Sequence, residues 1–189
     1  MRLVPVGEAA EFLREGKVGI VPTETVVGLL AGERGMDRLA EIKGRSPDKP
    51  IALLCPSAED ALALAREVPT LALSLANQFW PGPLTLVLDA RDSGTVGLRV
   101  PDHPIVRALL LSYGAPLYAT SANRSGEDAP RALEEVEPEI SRLVDFAVEG
   151  EPGGGEASAV VDLSGGKVRL LRSMKNLDEE RLSRLSSRT

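Results

Sequence analysis

The stretch from Val18 to Gly32 constrains the fold more than any other part of the chain. Two apolar runs, Val18–Val21 and Val26–Ala31, flank the polar tripeptide Thr23-Glu24-Thr25. Both runs are short and rich in β-branched residues, the pattern of buried strands rather than of helices. Pro22 has no amide hydrogen to give to a ladder, so the first strand is expected to end there. Thr23 to Thr25 then stand where a strand opens at a sheet end, a place where ligands often bind. The alternative for the same residues is an ordinary polar turn.

On either side of this stretch, helices and strands alternate. Glu8–Glu15 reads as a helix closed by Gly16, and Gly35–Lys43 as another. Ser57 can cap a helix that begins at Ala58, and Leu71–Phe79 is helical up to the rigid corner Trp80-Pro81-Gly82-Pro83. Trp80 is expected to pack that corner. Ile105–Tyr113, Arg131–Val136 and Leu177–Leu185 complete the helices, the last as a charged surface element. Strands are expected at Ile51–Cys55, Leu84–Leu88, Thr95–Val100, Pro116–Ala119 and Leu143–Val148. Ser158–Leu163 and Lys167–Arg172 should pair as a hairpin. Some connections are too short for βαβ crossovers, so the fold class is α+β (α/β-type): a mixed parallel and antiparallel sheet with flanking helices. The chain shows no repeat and no break, so 1–189 reads as a single domain.

The net charge of −6 argues against a protein whose main task is to grip phosphate backbones. It leaves room for a local basic pocket. Lys43, Arg45 and Lys49 fall in a Gly- and Pro-rich loop, which suits an anion site better than a solvated helix face. Arg99 interrupts an apolar strand, where it needs an ion-pair partner or a ligand. Thr120-Ser121-Ala122-Asn123-Arg124-Ser125-Gly126 follows a strand with hydroxyls, an amide and a glycine, either phosphate donors or a plain turn. The glycines of 150–155 lack the Lys-Ser/Thr of a P-loop. His103 reads as a helix-entry or surface residue, and with no Ser or Cys motif beside it a nucleophilic triad is unsupported. The single Cys55 and the lack of an apolar leader or span point to a soluble chain in the reducing cytoplasm.

Six segments together resemble the YrdC/Sua5/TsaC family of threonylcarbamoyl-AMP synthases, in the family's order, from about residue 6 to 172. They are Val21–Val26 with Gly28-Leu29, Lys43-Gly44-Arg45, Trp80–Thr85, Gly97–Pro101, Thr120–Gly126 and Ser158–Asp162. The resemblance implies a twisted mixed sheet around a positively lined cavity, in the short form without a further C-terminal domain. It implies a nucleotidyltransferase that joins L-threonine, bicarbonate or CO2, and ATP into threonylcarbamoyl-AMP, with release of pyrophosphate. That product feeds t6A modification of tRNA, so tRNA and other proteins of that pathway are possible partners.

By motif position, the resemblance places Thr23, Arg99, the Ala119 backbone and Ser158 around threonine. It places Arg45, Lys49, Thr95, Ser121, Asn123 and Arg172 around ATP, with Lys43 and Arg45 acting on the reacting phosphates. Mg2+ is expected on the ATP phosphates, since no acidic cluster announces a protein-held metal. Lys43 or Arg45 changed to Ala is expected to abolish product and leave the fold intact. Departures from the family pattern are Val27, Leu54, Ala129, Ala159 and Ser173-Met174. Two rivals are a non-catalytic accessory that binds double-stranded RNA and a carbamoyl-transfer domain like that of hydrogenase maturation factors.

Overall fold

In the computed structural model, which describes residues 1–44, 51–151, 153–154 and 156–187, the apolar runs around Thr23–Thr25 form neighbouring strands. In chain order, the first half holds β1 (Arg2–Leu3), α1 (Val6–Arg14), β2 (Val18–Pro22), β3 (Val27–Ala31), α2 (Met36–Lys43), β4 (Ala52–Leu54), α3 (Ala58–Leu62) and α4 (Thr70–Phe79). The second half holds β5 (Leu84–Asp89), β6 (Thr95–Arg99), α5 (Pro104–Tyr113), β7 (Leu117–Ser121), α6 (Pro138–Leu143), β8 (Phe146–Ala147), β9 (Ala159–Asp162), β10 (Arg169–Arg172) and α7 (Glu179–Ser186).

The strands make one ten-stranded sheet in the order β1-β8-β2-β3-β7-β4-β6-β5-β9-β10. It is mixed: β4–β6 and β5–β9 pair in parallel, while β2–β3, β3–β7, β4–β7, β5–β6 and β9–β10 are antiparallel. The burial pattern assigns the two faces, because cross-strand partners share a face and neighbours along a strand do not. Leu29, Leu98, Leu86 and Val161 point to one face. There α2 and α6 cover one half, and α3, α4 and α7 cover the other. Val21, Leu30, Leu54 and Leu117 point to the opposite face, where α1 and α5 cover only the end near β2. Past β4 that second face carries Ala52, Gly97, Thr85, Val87 and Asp162, and the helical clusters do not extend over it.

Sequence expectations and structure part in four places. Arg131–Val136 forms only a 3-10 turn at Leu133–Glu135, and the helix follows it at Pro138–Leu143, where Pro138 suits the first turn. The strand expected at Leu143–Val148 shortens to Phe146–Ala147, because α6 takes Leu143. His103 does enter α5, but it is buried, with Nε2 against the Glu151 carbonyl at 3.0 Å. Helix α7 is no surface appendage: Leu177 and Leu182 are buried with Leu75 and Trp80 in the core under α4. Its charges line the outer side, and Leu182, with Leu177 just ahead of the helix, docks it.

Candidate active site

The uncovered half-face is where the candidate residues gather, and the sheet register says how. Leu54 pairs with both Arg99 and Leu117, so those two lie level. Counting back four residues on β6 and forward four on β7 brings Thr95 level with Ser121, two strands apart. Arg99 and Ser121 therefore stand at opposite ends of the same face, about 13 Å apart along the strands at ~3.3 Å per residue. Between them runs a row of small residues, Ala119, Ala52 and Gly97, joined through Ala52. Small side chains thus separate a cationic row from a hydroxyl row on this face.

The cationic row is well connected. Thr85 pairs with Val160, which pairs with Arg172 across the bulge in β10. Ser158, buried just before β9, shares a hydrogen bond with Thr85 (Oγ1···Oγ 3.1 Å). Arg172 donates from Nε to the Ser158 carbonyl (2.5 Å) and from Nη2 to its hydroxyl (3.1 Å). Arg99 is buried and donates from Nη2 to Thr25 Oγ1 at 3.0 Å, with Glu24 Oε1 at 2.6 Å from the same nitrogen. Thr25 Oγ1 in turn lies 2.9 Å from Thr23 Oγ1. Thr23 Oγ1 also accepts from the Thr25 and Val26 amides and sits 2.7 Å from the Val26 carbonyl. The turn is thus over-determined, and it carries its side chains to Arg99. Glycine is required at 153, since a Cβ there would stand 2.1 Å from the Glu24 carbonyl oxygen. The Gly153 amide donates to the Thr23 carbonyl (2.7 Å), and the Gly154 amide to that of Glu24 (3.1 Å).

At the hydroxyl end, Lys43 closes α2 beside a left-handed Gly44 (φ 60°). Its buried ammonium donates among four oxygens: the Ser121 carbonyl (2.9 Å) and hydroxyl (3.0 Å), and the Asn123 carbonyl and side-chain Oδ1 (both 2.7 Å). Asn123 Nδ2 donates to the Arg124 and Glu127 carbonyls. Lys43 therefore fixes the end of β7 and places a positive charge under Ser121. Among the described residues, no group of three or more acidic, histidine or cysteine side chains could hold a metal ion.

The structure brings together Thr23, Arg99, Ser158 and Arg172, and separately Lys43, Ser121 and Asn123, on one face with Ala119 between. Thr95 lies level with Ser121 but is exposed, and Arg45 and Lys49 lie outside the described residues. Thr25 and Glu24 join the site from the tripeptide that the sequence marked as a whole, with no role of their own given there, and Thr85 joins it without having been singled out. Glu24 gave a signal there, a charge inside an apolar stretch. A groove of about 640 Å³ is lined by Leu170–Ser173 and Asp178–Glu180. Asp178, Glu179 and Glu180 on one wall make it a poor host for a polyphosphate, and Arg172 on the other wall turns its guanidinium to Ser158. No helix among the described residues is long and apolar enough to cross a membrane.

The Sua5/YciO/YrdC family model, described as "Telomere recombination", matches residues 11–173. The threonylcarbamoyl-AMP synthase of Pyrococcus abyssi is 38% identical over 177 residues, which cover 87% of this chain and 52% of that protein. The enzyme of that name from Pseudomonas fluorescens is 35% identical and is covered over 95% of its length, with 86% of this chain. The crystal structure of P. abyssi Sua5 complexed with L-threonine superposes with a TM-score of 0.85 at 36% identity, covering 95% of this chain and 56% of that one. The chain thus spans about half the length of the Pyrococcus relative and nearly all of the Pseudomonas one. A match across most of the chain, in sequence and in fold, places this protein in the Sua5/YciO/YrdC family.

Proposed function

We propose that this protein is an L-threonylcarbamoyladenylate synthase, which makes threonylcarbamoyl-AMP and pyrophosphate from L-threonine, bicarbonate or CO2, and ATP. The observation that carries the reading is one uncovered sheet face with a buried arginine at one end and a lysine-anchored hydroxyl at the other. Relatives bearing the synthase name, and a family member crystallised with L-threonine, support it. In this reading Arg99 takes the amino-acid carboxylate, with Thr23, the Ala119 backbone and Ser158 around it. Ser121, Asn123 and Thr95 take the nucleotide, together with Arg45 and Lys49, and Arg172 reaches it from the Ser158 end.

The chemistry asks for such a face. The threonine amine, once its ammonium has lost a proton, adds to CO2 and gives up a second proton to solvent, leaving a carbamate. A carbamate oxygen then bonds to the α-phosphorus of ATP while the bond to pyrophosphate breaks. Two anions must meet, so fixed cations and donors do more than a covalent nucleophile could. Lys43 contributes charge and the position of Ser121; Arg45 follows it by two residues. The described residues offer no cage for Mg2+, so the ion would arrive on the ATP phosphates and no step is assigned to it. The product belongs to the route that modifies tRNA to t6A. Incubating the protein with threonine, bicarbonate, ATP and Mg2+ tests the reading. Mass spectrometry should find threonylcarbamoyl-AMP and stoichiometric pyrophosphate, both dependent on threonine. Neither product, with ATP intact, would refute it.

A further inference from the structure

We infer that Glu24 binds the ammonium group of the substrate, and that the site admits an α-amino acid by exchanging one internal ion pair for two. This rests on the reading of the Arg99 end as the amino-acid site, and it adds a residue to which that reading gives no part.

The Arg99 and Glu24 side chains are only 10% and 13% exposed, with Nη2 and Oε1 2.6 Å apart. The pair is close but poorly aligned. Arg99 Nε and both carboxylate oxygens of Glu24 are shut off from solvent without a hydrogen bond. Groups this polar are seldom left so, and at a ligand site they mark bonds that the ligand completes. The Glu24 backbone is held by the Gly154 amide and by the close approach of Gly153, so its side chain swings from a fixed base.

The charges decide what can enter. Arg99 and Glu24 are neutral as a pair. A simple carboxylate arriving at Arg99 puts two negative groups on one guanidinium, and a Glu24 pushed aside becomes a buried charge without a partner. A zwitterion avoids both outcomes. Its carboxylate takes Arg99, with Nε free to make the second bond of a bidentate contact, and its ammonium takes Glu24. Every charge stays paired, so the site selects for the amine that the reaction must carbamoylate.

Calorimetry on the full chain tests this with L-threonine and with the 2,3-dihydroxybutanoate of matching stereochemistry, in which a hydroxyl replaces the ammonium. Wild-type protein should bind the hydroxy acid about tenfold more weakly or worse. In Glu24→Gln, threonine should weaken about tenfold, while the hydroxy acid binds more tightly than it does to wild type. A residue that merely supports the turn would weaken both ligands. Equal binding of the two ligands by wild type overturns the inference whatever the variant does, and so does a Glu24→Gln protein that keeps the wild-type preference. If wild type binds ATP but neither ligand, the amino-acid reading itself falls and takes this inference with it.

Discussion

Replacing Lys43 by Met tests how the nucleotide end of the face is built. Methionine keeps the unbranched stem in the buried channel and removes only the ammonium. Three N–H donors are lost from among four oxygens of Ser121 and Asn123. A hydrogen bond to a charged group contributes about 1.5–3 kcal/mol, and each buried acceptor left without a donor costs about 1–3 kcal/mol. Some of that is recovered, because the Asn123 amide can turn and a water can follow the lost ammonium. A net loss of about 3 kcal/mol remains, a fall in Tm of about 6–12 °C for a chain of this size. Calorimetric melting of Lys43→Met beside the exposed Lys167→Met separates burial from mere charge removal; the second should move Tm by less than about 1 °C. Product formation should also collapse in Lys43→Met, since Ser121 loses its anchor. A melting shift under about 2 °C would refute the reasoning: the four contacts would then be no better than hydration.

Three further outcomes follow from the same geometry. Gly153→Ala forces a Cβ against the Glu24 carbonyl oxygen, at 2.1 Å without relaxation, so the Thr23–Thr25 turn must move. Product formation in the coupled pyrophosphate assay should fall about tenfold or more, each ~1.4 kcal/mol lost from the reacting geometry being a factor of ten. Burial raises the Asp162 carboxyl, but hydrogen bonds from Ser164 and the Arg169 guanidinium outweigh it and hold the group below the usual carboxylate range. A depressed folded value stabilises above the unfolded value of about 3.9, and that stability is lost as pH falls through the folded one. Asp162→Asn should therefore be the less stable protein in urea at pH 7, with the gap closing on acidification below about pH 4; a gap independent of pH would contradict it. Burial, helped by the charge of Asp60, pushes the Cys55 thiol up to about 12. Iodoacetamide at pH 8 should leave it unlabelled in folded protein and label it in urea.

Much of the fold was legible in local sequence. The β2–β3 pair, with Pro22 ending the first strand, the Ser57 cap, the stop at Trp80-Pro81 and the β9–β10 hairpin all rest on short-range chemistry that the chain carries with it. What failed depended on distant packing. α6 and the shortened β8 are settled by Ile140 and Val144 finding Val18 and Leu39 across the fold. α7 reads as a surface helix because its buried residue, Leu182, with Leu177 just ahead of the helix, is outnumbered by its charges.

The site was legible in a different sense. Composition gave no pocket, and each polar turn had an innocent alternative; only the order of the motifs singled out Thr23, Arg99, Ser121 and Ser158. The sequence could not show that Thr25 bridges Thr23 to Arg99, or that Thr85 stands against Ser158 from 73 positions away. Those contacts come from strand register, which no local pattern carries.

The central claim is that an amino acid and a nucleotide lie together on the uncovered half of the sheet. A crystal structure of the protein with L-threonine and a non-hydrolysable ATP analogue tests it most directly. The account predicts the threonine carboxylate on Arg99, with the amino acid over Ala119 and beside Ser158, and the phosphates over Ser121 within reach of its hydroxyl. Either ligand found on the opposite face, among α3, α4 and α7 or in the acidic groove beside Asp178, would contradict it.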